Sequence, residues 1–481
     1  MSGQPVQNPA DEIQRALHGA GTPVVLVDFD ETLWLRNSTE AFLASVRPQI
    51  VGGVLLRVLD ALGPWRLLPG PRQRFVYRDW LRVLLVSVLL PWSLLRWRRS
   101  AAALGARWRN DALLSALAGV DRPLVVTFGF APIVKPLLAG AHPRARLLVA
   151  SSLWRGYRLR TEGKQAAVLR ELGADALAAS LVITDSRDDA DLLDACGTPV
   201  LIQWTGAARW VFSPSYRPFM YTRKGKRAGQ RYLLHNVLLE DVAVLWLAFA
   251  WTAEQPALTA AGLLLLHLSF WLVYEIGYHE NDHVAAGRER APHQPLGAAS
   301  YADSMDGPSA WLCSLLLAAP GSVLLAAGAG SALQFASATD GLWVRSGLVL
   351  VGWVGYLMLS RSAYWTYNRL PVEARSLPYA VLQLARSAGY GAFLSTNVVG
   401  ALVLGALVLG RWIPYLAYRD LGVHLRGSHR LTMLLAFLVL AAVQAAVDTA
   451  FLFELQTLVA LAYLVARAHR PLRALVAPGG A

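Results

Sequence analysis

Short apolar, β-branched runs recur through the first part of the chain, at Val24–Val27, Leu124–Thr127, Ala145–Ala150, Leu181–Thr184 and Pro199–Ile202. Stretches of helical period lie between several of them, as in Lys164–Leu172. Continuous apolar strands alternating with helices predict an α/β layer, a parallel sheet covered by helices. Between the first two runs, residues 37–121 read as wholly helical. Within them Val83–Leu95 is almost purely apolar, and at about 13 residues it is too short to span a bilayer. The flanking Arg78, Arg82, Arg96, Arg98 and Arg99 suit a helix lying on or dipping into a membrane surface. A buried helix in a helical cap fits the same pattern, and both readings stay open.

Downstream the pattern changes. A basic linker, residues 217–231, contains Arg223-Lys224-Gly225-Lys226-Arg227. Apolar stretches of membrane-spanning length follow, at 235–253, 257–277, 309–328, 341–359, 377–396, 398–417, 431–449 and 451–468. They predict an all-α multi-span domain of about eight or nine helices over residues 232–481, after a first domain over residues 1–216. With the linker in the cytoplasm, the loops on its side carry Arg288 and Arg290, then Arg361, Arg369 and Arg375, then Arg419, Arg426 and Arg430. The opposite loops, near Glu254, Ala329–Asp340 and Asn397, carry no Lys or Arg. This positive-inside split predicts an integral protein of a bacterial-type inner or plasma membrane, with its polar loops cytoplasmic. The polar, acidic stretch Met1–Glu12 shows no signal-peptide pattern, which keeps the first domain on the same side.

Composition agrees with a fusion. Hydrophobic content of 55% and a mean hydropathy of +0.38 are too apolar for a soluble enzyme and too polar for a chain wholly in the membrane. The net charge of +13 fits basic loops against anionic lipid. It does not indicate nucleic acid, because no Lys/Arg run with interleaved aromatics stands apart from the membrane edges. Cys196 and Cys313 form no metal or redox spacing.

The first candidate chemistry is Asp28-Phe29-Asp30-Glu31-Thr32, directly after the first apolar run. Two carboxylates two residues apart at a strand end can share one hard cation, and one of them can attack phosphorus. Further along come Thr127 ending a strand, Lys164 opening a helix, and Asp185 and Asp189 after the strand Leu181–Thr184. In this order the domain resembles the haloacid dehalogenase-like (HAD) phosphatases. The resemblance covers about 180 residues and implies a Rossmann-type sheet with a helical cap at 37–121. It implies Asp28 as nucleophile and Asp30 as general acid and base. Mg²⁺ would be held by Asp28, Asp30 through its carbonyl, and Asp185. Thr127 and Lys164 would bind the phosphoryl oxygens, and Asp189 would orient Lys164 or the metal shell. Thr184 stands where the family often has glycine.

The loop after the second apolar stretch contains Asn281-Asp282-His283-Val284-Ala285 and continues to Arg288-Glu289. It resembles the first acidic motif, NDxxDxxxD, of UbiA-type intramembrane prenyltransferases, with Ala285 replacing the middle aspartate and Glu289 the last. The loop after the sixth stretch holds Asp420 and His424, where the family has its second acidic motif. Tyr367 and Arg369 follow the fourth stretch, where the family places an aromatic and a basic residue near the phosphates. The resemblance implies Mg²⁺ on Asp282, Glu289 and Asp420, with Asn281, Arg288, Tyr367, Arg369 and His424 around a pyrophosphate. Solvated helix caps and snorkelling anchors would look the same. Arg386, inside the fifth stretch, is costly at that depth and is expected either to face a polar cavity, where it would meet a pyrophosphate, or to mark a misplaced boundary of that stretch.

Together the two resemblances imply a bifunctional membrane enzyme. Its membrane domain would act on a polyprenyl phosphate or diphosphate, for instance transferring a phosphoribosyl group to it. Its HAD domain would then remove a phosphate from the lipid-linked product, a phosphorylated sugar or small molecule. Two alternatives are prenyl transfer from a prenyl diphosphate to a small acceptor, and a lipid-phosphate phosphatase whose membrane domain only binds lipid.

Overall fold

The structure is a computed structural model that describes residues 9–19, 24–208, 216–285, 287, 295, 297–299, 301, 305–334, 337, 340–423 and 429–476. The chain divides into two compact units, Met1–Ser215 and Tyr216–Ala481. The basic stretch 217–231 therefore belongs to the second unit.

In the first unit, β1 (Val25–Val27), β2 (Leu124–Phe130), β3 (Arg146–Ser151), β4 (Leu181–Thr184) and β5 (Thr198–Leu201) form one parallel sheet in the order β3-β2-β1-β4-β5. These are the five apolar runs of the sequence, shifted by a few residues at their ends. Leu26 of β1 sits opposite Leu124 of β2 and Val182 of β4. Both faces are covered, which is why the strands read as unbroken apolar runs rather than as alternation. On one face Val25, Val27, Val125 and Ile183 pack in one core. On the other, Leu26, Val126 and Val182 pack with Val168 in a second. Helices α1 (Pro9–Gly19), α7 (Ala131–Ala141), α8 (Gly156–Glu162), α9 (Lys164–Leu172), α10 (Ala174–Ala178) and α11 (Ala190–Ala195) complete the layer.

Between β1 and β2 run five helices, α2 (Ser38–Ser45), α3 (Gln49–Leu62), α4 (Pro71–Leu89), α5 (Trp92–Arg107) and α6 (Asp111–Ala116). The Asn37 side chain caps α2 by accepting from Glu40 N at 3.1 Å. The expectation of one helix over Val83–Leu95 is corrected: α4 ends at Leu89, and α4 and α5 meet at 107°. Pro91 is the cause, since it offers no N–H and disfavours helix in the residue before it. Neither open reading covers the whole stretch, because Val83, Val86 and Leu90 are buried whereas Val88, Leu89, Trp92 and Leu95 are exposed. Beyond the bend α5 lies on α7. A Cβ on Gly140 would fall 1.8 Å from the Ala102 carbonyl, and one on Gly105 would fall 2.1 Å from the Leu137 carbonyl. Only glycine permits that approach of backbones.

In the second unit, five helices are long and apolar enough to cross a membrane. They are α12 (Leu233–Ala250), α13 (Pro256–Glu280, helical on to Val284), α14 (Gly307–Gly328), α15 (Leu342–Tyr367) and, later in the chain, α17 (Val398–Asp420). The other expected spans take different forms. Residues 377–396 are not one helix: α16 (Ser376–Arg386) is 11 residues long, and the backbone leaves helical geometry at Ser387. Gly389 and Gly391 follow, and a short 3₁₀ turn spans Ala388–Ala392. Helix α18 (His429–Ala445) has 17 residues, and α19 (Leu455–Val476) carries Arg467, Arg470 and Arg473 in its second half. Close packing of α13 and α14 again needs glycine, for a Cβ on Gly262 would lie 2.7 Å from Leu325 N.

Candidate functional site

The first unit gathers a cluster of charged residues after β1 and β4 and at the start of α9, with Thr127 of β2 beside them. Asp28 N donates to the Ile183 carbonyl at 2.9 Å, so Asp28 extends β1 beside β4. The chain then reverses tightly: Trp34 N donates to Phe29 O at 2.9 Å, and Glu31 takes the left-handed region at φ 63°. This turn presents Asp30, whose Oδ1 accepts from Ser38 N at 2.6 Å. Thr32 Oγ1 donates to Asp185 Oδ1 at 2.7 Å and ties the turn to the end of β4.

Lys164, at the start of α9, is 2% exposed. Its ammonium lies 2.9 Å from Asp28 Oδ1 and 2.8 Å from Asp189 Oδ2. It also lies 4.9 Å from the centroid of the Phe128 ring. Thr184 Oγ1 donates to Asp189 Oδ2 at 2.6 Å and lies 3.4 Å from Asp28 Oδ2. The Thr184 hydroxyl is thus part of the cluster. Thr127 is buried, and its Oγ1 accepts from Gly129 N at 2.9 Å.

These groups open onto a cleft of about 830 Å³, lined also by Val76 and Asp79 of α4 and by Arg160 of α8. Burial pushes the Asp28 carboxyl up to about 8, with the Lys164 ammonium pulling the other way and Asp189 adding to the rise. Burial likewise raises Asp30, opposed by its bonds from Ser38. The two nearby carboxylates hold the Lys164 ammonium above its ordinary range despite desolvation. A buried, carboxylate-rich site of this kind favours a cation or a second positive charge.

Among the described residues, no group of three or more His, Cys, Asp or Glu is placed to hold a metal. The expected set here is smaller, two carboxylates (Asp28 and Asp185) and the Asp30 carbonyl. Its oxygen-only chemistry fits Mg²⁺, which keeps several waters. Asp28 Oδ1 is occupied by Lys164 and by Phe29 N at 2.8 Å, whereas among the described residues Oδ2 has only the 3.4 Å Thr184 contact.

Sequence reasoning missed two ion pairs within the first unit, of which only Arg160–Asp79 lines the cleft. Arg160 Nη1 donates to Asp79 Oδ2 at 3.1 Å. Arg82 Nη1 donates to Glu40 Oε1 at 3.0 Å. These join α8 to α4 and α4 to α2. Asp79 and Arg82 are i,i+3 neighbours on α4, but nothing in the spacing shows that they meet Glu40 and Arg160.

In the second unit the expected residues are less concentrated. Asp282 is 3% exposed. Its Oδ2 accepts from the Tyr221 hydroxyl at 2.9 Å, and its Oδ1 is paired closely with the Lys226 ammonium. Both partners come from the stretch read as a linker, and Thr222 N donates to the buried Glu275 at 2.5 Å. Asn281 is partly buried. Asp420 Oδ1 accepts from Ser376 Oγ at 2.7 Å in an exposed position. The Tyr367 hydroxyl pairs with that of Tyr415 at 3.2 Å. Arg369 stacks on Trp365 at 3.9 Å and lies 3.8 Å from Glu280. Arg288, Glu289 and His424 lie outside the described residues.

Arg386 faces a carboxylate rather than an open polar cavity: its Nε donates to Asp241 Oδ2 at 2.8 Å. Asp241 Oδ1 accepts from Arg411 at 2.6 Å, and Arg411 also reaches Glu240 at 2.6 Å. His267 Nε2 lies 3.3 Å from Asp241. His429, Arg430 and Arg467 close around Glu240 at 2.9, 3.1 and 3.1 Å. The signal available in sequence was the adjacent Glu240-Asp241 inside an apolar stretch, a pair that must find cations in a membrane interior.

Comparison of the chain with models of known protein families, with curated proteins and with solved structures finds no match.

Proposed function

We propose that the first unit is a HAD-like phosphatase. The observation that carries this reading is the buried Asp28–Lys164–Asp189 array, with Asp30 and Thr127 on the same cleft. The parallel order β3-β2-β1-β4-β5 with a helical insertion after β1 supports it. Asp28 attacks phosphorus through Oδ2 while Asp30 gives its proton to the departing oxygen. The resulting aspartyl-phosphate is cleaved by water, whose proton Asp30 takes, so that inorganic phosphate leaves and Asp28 is restored. Lys164 and Thr127 balance charge on the phosphoryl oxygens, and Asp189 with Thr184 fixes the ammonium. Mg²⁺ bound by Asp28, Asp185 and the Asp30 carbonyl would supply further charge neutralisation there.

We infer that the second unit is a UbiA-like domain of eight or nine membrane helices that handles a polyprenyl phosphate or diphosphate. The fusion then gives a pathway logic: transfer on the lipid, then dephosphorylation of the phosphorylated product at a tethered site. A second reading, a phosphatase whose membrane unit only binds and presents lipid, is favoured by Asp282, whose carboxylate already has an ammonium and a phenol as partners. The test is release of inorganic phosphate from a phosphorylated polyprenyl-phosphosugar by the full chain. Release lost in Asp28→Asn supports the phosphatase, and absence of release by the unaltered chain overturns it. Consumption of phosphoribosyl pyrophosphate, or of prenyl diphosphate, assigns the transfer. Consumption of neither, with phosphate release intact, leaves the lipid-presenting reading.

A further inference from the structure

Four large apolar side chains surround the corner where α4 turns into α5. Val88 is 49% exposed, Leu89 54%, Trp92 44% and Leu95 59%. The corner is built, not frayed. Trp92 Nε1 donates to the Arg47 carbonyl at 2.7 Å, while Leu90 and Trp97 beside the exposed residues are buried. The Trp92 bond joins the start of α5 to the segment before α3, and the Arg78–Asp60 ion pair at 3.1 Å joins α4 to α3. The outward stripe of α3 at i, i+4 spacing adds Val54 and Val58, both about half exposed. A soluble surface seldom gathers this many large apolar groups without a use for them.

The charge beside the corner narrows the partner. Arg96, Arg98 and Arg99 are exposed on the first turns of α5, and no Asp or Glu occurs from Trp92 to Arg107. Apolar side chains flanked by cations match the boundary between acyl chains and anionic headgroups. The chain also continues into a unit with five helices of membrane length, so a bilayer is always within tether reach.

We propose that the α4–α5 corner is a membrane-docking element that seats in the headgroup boundary of an anionic bilayer. Val88, Leu89, Trp92 and Leu95 enter the apolar edge, and the α5 arginines meet the lipid phosphates. Asp79, which lines the cleft, precedes Val88 by roughly 14 Å of helix at about 1.5 Å per residue. Docking would hold the cleft near the depth at which a lipid-borne phosphate ester is displayed. The docking itself does not depend on the phosphatase reading.

The test uses the full chain in nanodiscs of mixed phosphatidylcholine and phosphatidylglycerol, with Cys196→Ser and Cys313→Ala. An environment-sensitive fluorophore is placed at Leu95→Cys or, as control, at the exposed Leu169→Cys of α9. Quenching of the Leu95 label by nitroxide-bearing lipid, with iodide quenching only the Leu169 label, is the expected result. Equal iodide quenching of both labels overturns the proposal. So does shielding of the Leu95 label from both quenchers, which would indicate a protein partner or a second copy. A second variant, Leu89→Glu with Leu95→Glu, should lower hydrolysis of a bilayer-borne phosphate ester about tenfold or more while hydrolysis of a soluble aryl phosphate is unchanged. Equal loss on both substrates overturns the docking role. Absence of soluble-substrate hydrolysis in the unaltered chain would count against the phosphatase reading alone.

Discussion

Each unit holds a buried knot of carboxylates and cations, and the two knots are built on different plans. In the first unit one ammonium serves two carboxylates, and Asp28, which lines a cleft of about 830 Å³, has only a 3.4 Å contact on Oδ2 among the described residues. In the second unit, Glu240 and Asp241 meet Arg386, Arg411, Arg430 and Arg467, with His267 and His429 alongside. There every carboxylate oxygen is taken. A reactive array needs a spare ligand oxygen and a place for substrate, whereas a saturated array ties helices together. Burial and ion pairing alone do not tell the two apart; the unfilled valence and the cleft do.

The sharpest way to break this contrast is Asp28→Asn. It should abolish phosphate release, by about a thousandfold or more, while circular dichroism and melting stay near those of the unaltered chain. Retained turnover would remove the functional side of the comparison. Next comes Asp241→Asn, which leaves Arg386 and Arg411 short of a buried counter-charge. A loss of about 3–5 kcal/mol is expected, read as a lower melting temperature in detergent, with phosphate release from a soluble ester preserved below the melt. If stability is unmoved and only lipid turnover falls, the second knot is a site rather than a tie. Lys164→Met should lower turnover by roughly a hundredfold. Partial rescue by Lys164→Arg would show that the charge, more than the shape, is what Asp28 requires. The smallest effect is expected from Thr184→Val, which removes a hydrogen bond to Asp189 worth about 1 kcal/mol and should slow turnover a few-fold.

What the sequence made legible follows from which interactions are local. The five strands appeared as apolar runs because a sheet covered on both faces imposes that pattern. Asp28 follows β1, Lys164 opens α9 and Asp189 follows β4, as expected, whereas Thr127, expected to end a strand, lies inside β2, which runs on to Phe130. Their convergence could be expected from order along the chain. The partners drawn from distant turns could not. Arg160 with Asp79, and Lys226 with Asp282, depend on tertiary placement that no spacing encodes. Hydropathy overstated residues 377–396 because averaging blurs a break at Ser387. It misjudged Val83–Leu95 because a window cannot see that Pro91 turns the chain. The stretch 217–231 read as a linker from its charge, yet Tyr221 and Thr222 are among the most buried residues of the second unit.

The contact of Gly105 and Gly140 with the opposing backbones has a kinetic consequence. With α5 seated against α7 at a distance that admits no side chain, that half of the insertion cannot swing as a hinged cover over the cleft. On the phosphatase reading proposed above, turnover would then not be gated by a large-amplitude swing of α5, and any opening would fall to α4, which carries Val76 and Asp79. Raising solvent viscosity with a small viscogen should slow capture of a fast substrate, and should leave saturated turnover insensitive to drag on the insertion.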